Sequence, residues 1–307
     1  MYPLTYIEPV FRPPSEWKSL ILQVTNGCSW NRCSFCDMYS ADEKKFKPKK
    51  IDLIEQEILS IAQSGLPVGR VFLADGDAMM LPFNRLKEIL LLIKQHLPTV
   101  TRVSSYCLPR NLSNKTVEQL SELQQLGLKL MYVGCESGDD KVLELIEKGE
   151  TYNSSLIALN KIKQAGMKSS VMILNGLGGP ELSEQHALNS AKLMNEAQPN
   201  YLSTLVVSFP LGEERFAKGF TQASLKPFRQ LTQNELFTEM DSGSFAQVFD
   251  ASTGSLEGWG SVDGFNNSSV DICPSCELTY TFSNFTIDFK PLLIIFIFIH
   301  PLFSKFS

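Results

Sequence analysis

Three cysteines fall within nine residues in the stretch TNGCSWNRCSFCDMYS, at Cys28, Cys33 and Cys36. Thiols at that density suit metal or redox chemistry in a reducing compartment better than a disulfide framework. Three thiolates on a short loop can hold three irons of a cubane cluster, which leaves the fourth iron open to a substrate or cofactor. A zinc site is the alternative on the cysteines alone: Cys33 and Cys36 have zinc-pair spacing, and Asp37 or a distant cysteine would be the fourth ligand.

Polar and glycine-rich clusters recur further along. VFLADGDAM carries Asp75, Gly76 and Asp77, two carboxylates that can accept hydrogen bonds from an ammonium beside a glycine that admits close backbone approach. Read alone it is also an ordinary acidic turn. YVGCESGDD offers Glu136 and Ser137, and Ser137 has the right chemistry to cap a following helix. VMILNGLGG sets Asn175 and Gly176 ahead of Gly178 and Gly179, without the G-x-G-x-x-G order of a dinucleotide site. Cys107 and Cys135 read as small core residues, with Ser104 and Ser105 the better polar candidates near the third strand. Cys273 and Cys276 form an isolated pair, and His96, His186 and His300 lie in no motif, so an imidazole base is not indicated.

The elements that must position these groups alternate. Strand-prone runs at 20–24, 71–73, 100–105, 129–133, 168–174 and 201–208 are separated by helical patterns, the signature of βα units around a parallel sheet. Ile51, Ile54, Ile58 and Ile61 mark one apolar helix face, and Leu86, Ile89, Leu90 and Ile93 another. Asn114 and Ser183 are expected N-caps, while Gly127 and Gly166 are expected helix stops. Six such units imply a partial barrel or a doubly wound sheet, and either puts the chemistry at the carboxyl ends of the strands.

With the cysteine loop after the first strand and the other clusters after later ones, residues 3 to 240 resemble the radical S-adenosylmethionine superfamily. The resemblance implies an α/β fold, a partial (β/α)6 TIM-like barrel, with a 4Fe-4S cluster on Cys28, Cys33 and Cys36. It departs from the usual pattern in one respect, having four residues rather than three between the first two cysteines. S-adenosylmethionine would then be the second cofactor, with contacts implied at Phe35, Asp75, Gly76, Asp77, Ser104, Glu136, Ser137, Asn175 and Gly176. The implied activity is reductive cleavage of S-adenosylmethionine to a 5'-deoxyadenosyl radical that abstracts hydrogen from a substrate the sequence does not specify. An external one-electron reductant such as flavodoxin or ferredoxin would be the partner. The reading from another class is a non-catalytic zinc- or iron-sulfur-binding protein.

Composition agrees with a globular chain: 307 residues, 43% apolar, net charge -5. The charge is uneven. Residues 1–229 are near neutral, with 26 basic against 24 acidic side chains, so no one-sided basic field suggests nucleic-acid binding. The lysine-rich run from Lys44 to Lys50 reads as a solvated loop. The start, MYPLTYIEPVFRPPSEW, lacks the pattern of a secretory signal, which leads to the expectation of a cytoplasmic protein. Three segments are expected: an N-terminal extension at 1–19, the core at 20–240, and an atypical tail at 241–307 that carries none of the motifs. The tail's apolar run from Leu292 to Ile299 is too short to span a membrane. Either a buried strand or an aberrant C-terminus would account for it.

Overall fold

The computed structural model describes residues 4–207, 209 and 211–226, together with three short strands between 278 and 294. The expected alternation is present. β1 (Leu20–Gln23), β4 (Arg70–Ala74), β5 (Arg102–Cys107), β6 (Leu128–Glu136), β7 (Lys168–Asn175) and β8 (Tyr201–Val206) follow one another across a single sheet, and β11 (Leu293–Ile294) joins beyond β8. The pairs β1–β4, β4–β5 and β5–β6 are parallel, with Leu20 opposite Val71 and Val71 opposite Val103. This is the α/β architecture of a partial (β/α)6 barrel.

The chain divides into two compact units. One holds residues up to Arg32, Cys36–Gly134 and Ile157–Ser170; the other holds Cys33–Phe35, Cys135–Leu156 and the chain from Val171 onward.

In the first unit, α1 (Ile51–Gln63) buries Ile54, Ile58 and Ile61, and α2 (Phe83–His96) buries Leu86, Ile89, Leu90 and Ile93. The i, i+3, i+4, i+7 spacing gives each helix one apolar stripe, and each fully buried side chain of this size contributes about 1.5 to 3 kcal/mol. α3 (Val117–Gln125) is capped by Thr116, whose hydroxyl accepts from Gln119 N while the Gln119 side chain returns to Thr116 N. The cap therefore falls two residues after Asn114, because Thr116 and Gln119 complete a reciprocal capping box. Gly127 and Gly166 have φ of 113° and 73°, a conformation that ends a helix at little cost only for glycine. The N-terminal segment is tied into this unit: Glu16, fully buried, pairs with Arg102 at 2.7 Å and accepts from Tyr132 Oη at 2.8 Å.

In the second unit, α4 (Asp140–Leu145), α5 (Tyr152–Gln164, which continues into the first unit), α6 (Gly179–Ala197) and α7 (Glu214–Gln222) follow the strands. Val142, Leu145, Ile146, Leu177, Phe216 and Phe220 form its apolar core, against which Phe35 packs. α6 begins at Gly179, four residues before Ser183, because Pro180 supplies an already helical φ in the first turn; Ser183 thus lies inside the helix. The 241–307 segment contributes an antiparallel pair, β9 (Leu278–Phe282) with β10 (Phe285–Phe289), and β11, which runs parallel to β8. Cys273, Cys276 and His300 lie outside the described residues.

Candidate cofactor site

The cysteine loop occupies residues 27–46, between β2 (Thr25–Asn26) and β3 (Lys47–Pro48), which pair antiparallel and close its base. Cys28, Cys33 and Cys36 are half-buried thiols outside any disulfide. Among the described residues, no group of three or more His, Cys, Asp or Glu side chains has metal-holding geometry. Cys107 and Cys135 are buried, and burial pushes the Cys135 thiol up to about 12, the state of an inert core thiol rather than a ligand.

In the first unit, Trp30 of the loop carries the Arg110 guanidinium 3.8 Å from its ring centroid and that of Arg32 at 5.1 Å. Asp75 and Asp77 end β4 fully buried. Asp75 Oδ2 accepts from Lys44 Nζ at 2.7 Å and from Gly27 N at 3.3 Å. Lys44, read from sequence as part of a solvated loop, is fully buried, unlike the exposed Lys45, Lys47 and Lys50. A Cβ on Gly76 would overlap the ring of Tyr39, so this glycine is required by close packing. Asp77 Oδ2 accepts from Ser29 Oγ, and its Oδ1 has no hydrogen-bond partner among the described residues. Burial holds the Asp77 carboxyl above its usual range, against the opposing pull of the Ser29 hydrogen bond. Ser104 and Ser105 are buried, and their hydroxyls donate to Val71 O at 3.5 Å and Leu73 O at 3.1 Å, so both are engaged by β4.

In the second unit, Glu136 ends β6 with φ of 64°, buried, and its Oε1 accepts from Lys148 Nζ at 3.1 Å. Glu136 Oε2 has no hydrogen-bond partner among the described residues. Lys148 also lies 5.9 Å from the centroid of the Phe35 ring. Arg215 donates to Cys33 O at 2.9 Å, and Ser34 N to Ile146 O at 2.9 Å, which fixes the middle of the cysteine loop. Ser137 does not cap α4. Asp139 does, its Oδ1 accepting from Val142 N, while Ser137 Oγ accepts from Asp139 N and donates to His186 Nδ1 at 2.7 Å. That direction follows from the other ring nitrogen: Leu174 O can only accept, so Nε2 carries the proton. Burial lowers the His186 pKa to about 4, keeping the ring neutral. At the end of β7, Asn175 Oδ1 is buried with no hydrogen-bond partner among the described residues, and Gly176 has φ of 87°.

The matching family model, the radical SAM superfamily, covers residues 22–194. This chain belongs to the radical SAM superfamily. Among curated proteins it is 22% identical over 180 residues to "Heme chaperone HemW" of Bacillus subtilis, covering 57% of the chain and 47% of that protein. It is 20% identical over 158 residues to the protein of the same name from Buchnera aphidicola, covering 50% and 42%. The chain thus spans less than half the length of these relatives. Its fold is similar to that of coproporphyrinogen III oxidase (HemN) from Escherichia coli, with a TM-score of 0.53, 18% identity, and 78% and 58% of the two chains covered. It is also similar to the methyltransferase TsrM from Kitasatospora setae, solved with cobalamin and a [4Fe-4S] cluster, with a TM-score of 0.52, 18% identity, and 70% and 45% covered. No helix among the described residues is long and apolar enough to cross a membrane.

Proposed function

We propose that this radical SAM protein is an enzyme that holds a 4Fe-4S cluster on Cys28, Cys33 and Cys36 and cleaves S-adenosylmethionine reductively. The observation that carries the reading lies in each unit taken by itself, in buried acceptors with no hydrogen-bond partner among the described residues: Asp75 Oδ1 and Asp77 Oδ1 after β4 in the first, and Glu136 Oε2 and Asn175 Oδ1 at the ends of β6 and β7 in the second. Each is an oxygen whose desolvation is uncompensated among the described residues, and such groups are strongly favoured to meet a donor. S-adenosylmethionine supplies matching donors in its ammonium, ribose hydroxyls and adenine amino group. The donor set of the loop, three half-buried thiols with no disulfide, has the chemistry to hold three irons of a cubane, one sulfur to each iron.

Held by Cys28, Cys33 and Cys36, a reduced cluster would supply the one electron needed to break the sulfonium carbon–sulfur bond, with methionine and a 5'-deoxyadenosyl radical as the products. This chain's residues bind and orient. Asp77 accepts from the methionyl ammonium, Glu136 from a ribose hydroxyl or the amino-acid group, and Asn175 from the ribose or adenine edge. Gly176 gives the turn at β7 its left-handed conformation and lets backbone approach the ring. Phe35 lines the loop beside Cys36. The electron comes from an external one-electron donor of the flavodoxin or ferredoxin class.

Anaerobic reconstitution with iron and sulfide tests this reading, followed by reduction and assay for methionine and 5'-deoxyadenosine. Both products should appear in equal amounts. A protein that binds zinc but no sulfide, or a cluster-loaded protein that releases neither product, overturns it. The relatives' name favours a second reading, a heme-binding role; in that case heme titration gives a saturable Soret shift while product formation stays absent.

A further inference from the structure

We infer that Lys44 and Asp75 form a buried clamp that closes the cysteine loop on itself and so positions Cys28; this rests on the reading of the three cysteines as cluster ligands. The loop leaves β2 at Gly27 and returns to β3 after Lys44. Both ends converge on one carboxylate oxygen: Asp75 Oδ2 accepts from Gly27 N at 3.3 Å and from Lys44 Nζ at 2.7 Å, with neither side chain of the ion pair exposed. Gln23 Nε2 adds a third donor to the same oxygen at 3.3 Å. Lys44 Nζ donates as well to Ile7 O at 2.5 Å, and Gln23 exchanges hydrogen bonds with Ile7 in both directions. The backbone obeys the same demand. Gly27 has φ of 67°, and a Cβ there would overlap Lys44 O, so the two ends of the loop touch where only glycine fits.

Two further ties brace the interior of the loop. Asn31 Nδ2 donates to Tyr39 O at 2.9 Å, and the Tyr39 ring packs on Gly76, the residue next to Asp75. Cys28 is therefore bonded in sequence to a residue held by Asp75, and Cys36 lies three residues from one packed against Gly76. Asp75 is a positioning residue for the loop through Oδ2, while its Oδ1, like Asp77 Oδ1, has no hydrogen-bond partner among the described residues. A buried charged pair is seldom retained for stability alone, because an apolar pair of similar volume stabilises as well or better. Its value lies in fixing one geometry.

The test uses the full chain. In metal-free protein, alkylation of Cys28 by iodoacetamide is followed by peptide mass spectrometry, with buried Cys135 as the reporter of global unfolding. In the Lys44→Met/Asp75→Leu double variant no charge is left stranded. Its melting temperature is expected to stay near that of the wild type while Cys28 reacts about tenfold faster, the factor that loss of a charged tie gives in local opening. After reconstitution it should hold less iron and sulfide, with a broadened signal from the reduced cluster. Asp75→Asn, which keeps size and an acceptor, should fall between the two. Wild-type Cys28 reactivity in a folded double variant overturns the clamp, as does wild-type cluster content. If the double variant exposes Cys135 and does not fold, Asp75→Asn decides, and its wild-type Cys28 reactivity overturns the clamp. A wild-type protein that binds no cluster overturns the functional reading instead, since the alkylation rates are measured without metal.

Discussion

The Lys148 ammonium donates to one oxygen of Glu136 at 3.1 Å and leaves the other, buried, without a hydrogen-bond partner among the described residues. The pair joins the strand end of β6 to Lys148, three residues beyond the last residue of α4, and Lys148 also faces the Phe35 ring of the cysteine loop. A half-satisfied buried carboxylate, held in a left-handed backbone conformation, is poised for a second donor. Lys148→Met should leave the cluster assembled and weaken S-adenosylmethionine binding about ten- to a hundredfold, the equivalent of 1.5 to 3 kcal/mol. Isothermal titration of the reconstituted protein measures this, and an unchanged Kd would remove Lys148 and Glu136 from the site.

Asp77 makes the parallel case at the end of β4. Asp77→Ala is expected to lower S-adenosylmethionine affinity by a similar factor, because a charged hydrogen bond of about 1.5 to 3 kcal/mol is lost. Iron and sulfide content should not change, since Ser29 and the clamp residues remain. If the cluster is lost together with the affinity, Asp77 serves the loop rather than the ligand.

Cys33→Ala should abolish the cluster, whereas Cys135→Ala should leave it intact, because Cys135 is a fully buried thiol held protonated near physiological pH. Removing the Cys135 sulfur from a packed interior should instead cost about 1 to 2 kcal/mol in denaturant unfolding. Full iron content in the Cys33→Ala protein would falsify the ligand assignment.

His186 gives the chain a predictable acid sensitivity. Its folded pKa is about 4, below the ordinary value near 6.5, so the unfolded chain binds the proton more readily. Stability from this residue is complete above about pH 6.5 and falls as pH drops toward 4, by about 2 kcal/mol between pH 7 and pH 5. In His186→Gln, which can still donate to Leu174 O and accept from Ser137, urea unfolding should show that much less loss over the same interval. An identical pH profile in the two proteins would show that His186 is not responsible.

The sequence by itself determined the order of βα units, the apolar faces of α1 and α2, the cysteine loop after the first strand, and the polar residues closing β4, β6 and β7. These features are local: strand and helix periodicity, thiol spacing and glycine turns are written within a few residues of one another. Only the tertiary structure decided which of those polar atoms are already used. Ser104 and Ser105 are engaged by β4 carbonyls, and Ser137 is tied to His186, 49 residues away. Lys44 stands in a run of lysines whose neighbours are exposed, and nothing in the run distinguishes it until Asp75, 31 residues on, arrives opposite. The caps tell the same story at short range. Asn114 and Ser183 have capping chemistry, but the start of a helix depends on which residue completes a reciprocal box or follows a proline, as at Thr116 and Gly179. A side chain's partner is set by the path of the whole chain, so the donors and acceptors were legible in the sequence and their pairing was not.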